Sequence, residues 1–167
     1  MTGEQRSGAM ATTPVAAITE YLERMGIAHE LVEHEPVMSA AAEAHAMHYP
    51  TDEVAKTIVL TDGDTYVIAA IPAAQRLDLH KLRAVLGASR KLQLASEEQI
   101  ARDVPSLEVG AVPPFGPMVP AAEVIDQALL GHERVLCPAS DHRHSVLVDP
   151  KDVLRITSAR TADICQD

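Results

Sequence analysis

Three stretches of this chain carry residue types that could do chemistry. The first is Lys56, a lone cation inside the apolar run Val54–Leu60. Side chains alternate along a strand, so Lys56 would share a face with Val54 and Ile58. An ammonium group so placed either lies at a sheet margin with its stem snorkelling to water, or sits in a pocket where it can meet an anion. The second is Gly110-Ala111-Val112-Pro113-Pro114-Phe115-Gly116. Glycines let main chain approach a ligand closely and prolines hold a loop in one shape. The stretch is therefore either a loop offering N–H and C=O groups to a small ligand or a rigid connection packed by Phe115. The third is Ser140-Asp141-His142-Arg143-His144-Ser145. His142 and His144 would face one side of a strand, as a metal pair can, with Arg143 opposite and free to meet a phosphate or carboxylate. No third ligand and no HExxH-like spacing accompanies them, so the pattern predicts no metal site.

Other chemistries lack their signatures. There is no GxSxG elbow, and neither Cys137 nor Cys165 lies beside an activating helix start, so a hydrolytic triad has no support. The two cysteines fit no zinc or redox spacing and read as free thiols of a reducing compartment. No Gly-rich phosphate loop or GK[ST] occurs, which counts against a P-loop enzyme. Fourteen Lys and Arg against 24 Asp and Glu leave a net charge of −10, the wrong sign for tight autonomous binding to DNA or RNA. Three Tyr, one Phe and no Trp are too few for a base-stacking platform. No apolar run approaches the ~18 residues of a membrane span, and the first residues lack the apolar core of a signal peptide. The expectation is a cytoplasmic protein with no membrane partner.

The elements that must position these groups follow from local signals. With 167 residues, 47% of them apolar and 23% charged, the chain predicts a single domain with a sizeable core. Residues 1–12 read as a small, polar, disordered tail, leaving 13–167 as the domain. Thr13-Pro14 caps a helix closed by Gly26, with Ile18, Leu22 and Met25 on one face. A strand is expected at 28–33, and Ser39 caps a second helix ending before Tyr49-Pro50. Residues 54–60 and 65–71 form a hairpin around Thr61-Asp62-Gly63-Asp64. A helix over 78–86 ends at Gly87; a short strand covers 91–94; Ser96 and Gln99 make a capping box. Five prolines between Pro105 and Pro120 exclude regular helix or central strand there. Strands at 134–137 and 144–148 precede a last helix begun by Asp149-Pro150. Hairpins mixed with helices predict an α+β fold with a mixed, mostly antiparallel sheet.

In this order the pieces resemble the YbaK/EbsC family, the ProX-type or prolyl-tRNA-synthetase-associated editing domains, over about residues 15–165. Four features carry the resemblance: His34-Glu35-Pro36-Val37 before a helix of small residues; Ala55-Lys56-Thr57-Ile58-Val59-Leu60; Arg76-Leu77-Asp78-Leu79-His80-Lys81-Leu82; and Gly110…Pro114-Phe115-Gly116 followed by Asp149-Pro150-Lys151-Asp152-Val153-Leu154-Arg155-Ile156-Thr157. The resemblance implies a barrel-like sheet with surrounding helices. It also implies a free-standing trans-editing deacylase, which cuts the ester of a mischarged tRNA carrying a small amino acid such as Ala or Cys, as on tRNA-Pro. No cofactor or metal is implied.

Such a site answers a physical need, because a synthetase pocket rejects a smaller amino acid by only about 1–3 kcal/mol per methylene. Carried onto this chain, Lys56 and Gly110 would be catalytic. Thr57, Pro114, Phe115, Gly116, Ser140 and His144 would bind or frame the substrate. Lys56 would hold a phosphate or carbonyl as charge develops, and Gly110 would bring bare main chain against the terminal ribose or the aminoacyl group. The chain departs from the family where a glycine is usual before the last strand: it reads Pro138-Ala139-Ser140-Asp141-His142-Arg143-His144. The acidic total implies that a synthetase or an elongation factor holds the tRNA body while this chain meets the acceptor end. A relative that keeps the fold without catalysis, as a small-ligand or regulatory module, is the alternative.

Overall fold

The computed structural model describes residues 13–105, 108, 111–115 and 121–167. The expected tail at 1–12, and with it Gly110 and Gly116, lie outside the described residues. Helix α1 (Pro14–Arg24) starts where expected, with Thr13 Oγ1 accepting from the Ala16 N–H, and buries Ile18 and Leu22. Strand β1 (His29–Glu33) follows, then α2 (Ala40–Met47), whose first turn is capped by Ser39. Strands β2 (Ala55–Thr61) and β3 (Tyr66–Pro72) form the central hairpin, paired Lys56 to Ile71 and Thr57 to Ala70. Helix α3 (Leu79–Leu86) is capped by Asp78 and stopped at Gly87, whose φ of 64° suits a residue without Cβ. Strand β4 (Gln93–Leu94) and helix α4 (Glu97–Asp103) come next, the helix carrying the Ser96–Gln99 capping box.

The described part of the proline stretch is neither helix nor strand. Strand β5 (Ala121–Asp126) leads through a short 3₁₀ turn to β6 (Val135–Pro138) and β7 (His144–Val148). Helix α5 (Pro150–Thr157) and strand β8 (Arg160–Ala162) complete the chain. None of the described helices is long and apolar enough to cross a membrane.

The strands form two sheets. One is antiparallel, ordered β1-β7-β6; the other is mixed, ordered β4-β2-β3-β5-β8, with β5 and β8 running parallel to their neighbours. The α+β expectation is met, but the sheets stay open rather than closing into a barrel. Among the described residues one main-chain bridge links them, Val54 to Leu136, just before β2. One apolar cluster joins α1, β6 and β7 to the Ala55 and Ala70 face of the large sheet; another packs α3 against the Leu60 and Ile71 face. Beyond the bridge, one edge of β2 has no strand paired to it among the described residues until β4 joins at Leu60.

Candidate active site

That edge borders a cavity of about 240 Å³. Its wall includes Lys56, Thr57 and Ile58 in succession, which a strand presents only along an edge, since opposite faces would otherwise separate them. The Val59 carbonyl accepts from the Ala95 N–H at 3.0 Å, on the side away from β3. Residues two apart in a strand direct their main-chain groups to the same side, so Thr57 turns its N–H and C=O that way too. Strand β4 pairs with β2 only at Leu60 and Thr61, so among the described residues no strand covers Thr57 there. Its hydroxyl is also buried without a hydrogen-bond partner among the described residues.

Lys56 contributes to the same wall, half-buried, and its ammonium donates to the Gln75 carbonyl at 2.8 Å, outside the cavity lining. No carboxylate lies within ion-pair distance of it among the described residues. Burial, with the charge of Arg76 adding, lowers its pKa despite the opposing effect of Cys165.

The facing wall is the segment after β1. It extends the β1–β7 ladder loosely, the His34 N–H donating to the Arg143 carbonyl and the Val37 N–H to the His142 carbonyl. Met38, 74% exposed, stands on this wall as an apolar contact. Behind it three side chains from separate elements meet: His34, Glu43 on α2 and Ser145 on β7. His34 Nδ1 lies 2.8 Å from the Glu35 carbonyl, which can only accept, so that nitrogen carries a proton. Nε2 is thereby aimed at Ser145 Oγ, 2.8 Å away. The Ser145 hydroxyl also hydrogen-bonds Glu43 Oε2, and His34 Nε2 lies 3.9 Å from the same oxygen. Burial pushes the Glu43 carboxyl up to about 8.

The floor joins two stretches that lie far apart in sequence. The Ser140 N–H donates to the Ala111 carbonyl at 2.9 Å, and the Glu108 N–H to the Ser140 carbonyl at 3.0 Å. Glu108 Oε1 accepts from the His142 N–H at 3.0 Å. The proline-rich segment is thus fastened to the turn before β7, and Ala111, next to Gly110, lines the cavity with Lys56. His144 Nδ1 donates to Asp141 at 2.9 Å. Burial alone would raise the Asp141 carboxyl, but the His144 bond and the Arg143 N–H outweigh it and hold it below its usual range. Asp141 and His144 also border a second, wider cavity of about 620 Å³, lined further by Thr13, Thr19 and Ser140.

Ser140 holds a backbone conformation that favours glycine. Its φ is +84°, the left-handed region that glycine occupies freely, and its hydroxyl is buried without a partner among the described residues. Such strain costs on the order of 1–3 kcal/mol. Ser140→Gly should relieve it, offset partly by the freer unfolded chain, for a net gain of about 1 kcal/mol and a rise in Tm of about 2–4 °C. Calorimetry that gave an unchanged or lower Tm would show the serine conformation to be unstrained.

The expected site residues therefore fall into groups. Lys56, Thr57 and His144 line the cavity, and His142 does too. Ser140 borders the adjoining one. Pro114 and Phe115 do not line either; Phe115 is in the main core cluster and Pro114 packs beside Ala55, Ile125 and Cys137 beneath it. Among the described residues no three His, Cys, Asp or Glu side chains gather with metal-holding geometry. Sequence reasoning missed His34, Glu43 and Ser145 as a unit. Their one signal was three polar residues beside runs of apolar ones, in segments with no sequence relation to each other.

The fold has close counterparts among solved structures. A candidate trans-editing enzyme for prolyl-tRNA synthetase superposes with a TM-score of 0.81 at 24% identity, covering 92% of this chain and 98% of that one. Hypothetical protein APE2540 gives 0.81 at 21% identity, covering 90% and 99%. A scaffold protein used for epitope grafting gives 0.80 at 24%, covering 92% and 97%. At these identities the likeness is one of fold. No protein of curated function matches the sequence. The sequence itself, however, matches the model of the aminoacyl-tRNA editing domain across residues 34–156. That span runs from His34 through Lys56 to α5 and takes in both walls of the cavity, so this chain belongs to the aminoacyl-tRNA editing domain family.

Proposed function

We propose that the chain is a free-standing deacylase that removes a small amino acid, such as Ala or Cys, from a mischarged tRNA, with tRNA-Pro as the first candidate. The observation that carries this reading is a cavity of aminoacyl size with a cation at its wall that no carboxylate among the described residues neutralises. At about 240 Å³ it lies below the range usual for drug-sized ligands, so it suits a small side chain and an ester rather than a whole nucleotide. The wider neighbour across Asp141 and His144 leaves room for the terminal adenosine.

Hydrolysis breaks the bond between the acyl carbon and the ribose oxygen. Water, or a neighbouring substrate hydroxyl, adds to the acyl carbon, and the ribose oxygen leaves with a proton. Charge develops on the carbonyl oxygen, and Lys56 stabilises it after its stem swings away from Gln75, a move that breaks one hydrogen bond. A chain of net charge −10 leaves the tRNA body to a synthetase or elongation factor.

The test is a deacylation panel of Ala-, Cys- and Pro-tRNA-Pro, with and without a chelator. The expected result is loss of a small amino acid, sparing of proline and no effect of the chelator. No turnover of any misacylated tRNA would overturn the assignment, and inactivation by the chelator would overturn the metal-free form of it.

A further inference from the structure

Glu43 is 4% exposed, yet only one of its carboxyl oxygens is committed. Oε2 takes the Ser145 hydroxyl and faces His34. Oε1 has no hydrogen-bond partner among the described residues, and Glu43 is part of the cavity wall. In the same cavity wall, Thr57 has a hydroxyl with no partner among the described residues and a main-chain carbonyl at the edge of β2 that no described strand covers. A buried hydroxyl is nearly always paired, so the open Thr57 hydroxyl, with a carboxylate in the wall of the same cavity, marks the place of a ligand. The other cavity carboxylate, Asp141, is already occupied by His144 and the Arg143 N–H.

The geometry points to a seat for a primary ammonium group, formed by Glu43 and Thr57, with Ser145 and His34 as the positioning residues that hold Glu43. An ammonium group has three donors and no acceptor. Glu43 Oε1, Thr57 Oγ1 and the Thr57 carbonyl are three acceptors with a negative charge among them. The trio behind can also serve the carboxyl in either protonation state. With Glu43 ionised, Ser145 donates to it, and His34 Nε2 donates to Ser145 by taking up the proton that Glu43 releases, beside the one Nδ1 already carries. With Glu43 neutral, both bonds reverse, and no buried atom is left unpaired. An arriving cation therefore meets a carboxyl that can ionise without breaking its support. This inference rests on the reading of the cavity as an aminoacyl-ester site, and there the group is the substrate's α-ammonium. It gives the site a means to distinguish a free amino acid ester from an N-acylated one.

The experiment uses the full chain and two non-hydrolysable probes. One is adenosine bearing alanine through a 3′-amide; the other bears a propionyl group, which lacks only the amine. By calorimetry the wild type should bind the alanyl probe at least about tenfold more tightly, one such charged contact being worth that much. Glu43→Gln, which keeps the size and the bond to Ser145, should bring the two within about twofold without weakening the propionyl probe. Thr57→Val is the second variant; it removes a hydroxyl that has no partner among the described residues, so folding is spared, and it should weaken the alanyl probe alone by several-fold.

Equal binding of both probes by the wild type, or an undiminished preference in Glu43→Gln, would overturn the seat. The small pair L-alaninamide and propionamide, followed by NMR shifts of the Thr57 and Ser145 amides, separates the two readings. Should the adenosine probes and the deacylation panel both fail, shifts with alaninamide alone would keep the seat and discard the ester. Shifts with neither would discard the seat.

Discussion

Lys56→Ala should lower kcat/KM on a misacylated tRNA by about 10²–10³-fold, the usual loss when one group that meets a developing oxyanion is removed. The thermal melt should hardly move. The ammonium makes one hydrogen bond, to the Gln75 carbonyl, and has no carboxylate partner among the described residues, so little folding energy rests on it. A cation that burial weakens and no anion neutralises is stable only because it lies partly in water. An anionic oxygen at the cavity would supply what is missing. Lys56→Arg should recover only part of the activity, because the planar guanidinium spreads its charge over a fork and cannot reproduce the point charge of an ammonium. Single-turnover deacylation checks both variants. Activity within a few-fold of wild type in Lys56→Ala would remove Lys56 from the reaction.

The second large effect concerns stability. Glu123 lies in the middle of β5, in register with Ile68, on the face that packs Val59, Ile100, Val104 and Val112. It is 9% exposed, and its Oε2 has no partner among the described residues. Burial pushes its carboxyl up to about 8, against 4.5 for a free glutamate. The folded chain keeps a proton there that the unfolded chain has already released. Stability from this group is therefore full below about pH 4.5 and falls as pH rises towards 8. At about 1.4 kcal/mol per pH unit the effect is several kcal/mol at most.

Glu123→Gln should thus stabilise the protein by on the order of 2–4 kcal/mol at pH 8 and change little near pH 4.5, flattening the profile between. Urea unfolding at both values measures this. Parallel profiles for the two proteins would show that Glu123 is solvated or paired. Glu43 contributes a slope of the same sign, so the variant profile should keep a residual fall.

Much of the framework was legible because its signals are local. Thr13-Pro14, Ser39, Asp78, Ser96 with Gln99, and Asp149-Pro150 each begin a helix where the sequence places one, since capping is decided within four residues. The hairpin of β2 and β3 follows from two β-rich runs around an Asp-Gly turn. Strand β5 was not legible. Ala121-Ala122-Glu123 favours helix by propensity, and only the parallel pairing with β3 and β8 makes it a strand. Strand β8, three residues long, carries too little pattern to be read. The proline-rich loop was half legible. Its rigidity was evident, but Phe115 and Pro114 face the core, and the loop meets the cavity through Ala111.

By itself the sequence determined which residues could carry charge and where the chain turns, because ionisation and capping depend on a few neighbouring atoms. It also determined the order of motifs by which the family is known. Only the tertiary structure decided that His34, Glu43 and Ser145 share one hydrogen-bonded unit, that Glu108 and Ala111 fasten to Ser140, and that no described strand covers the edge of β2 at Thr57. These contacts join residues roughly thirty to more than a hundred positions apart in the chain. No local preference specifies them; they form because two sheets, meeting at one bridge and then parting, bring those segments to the same opening.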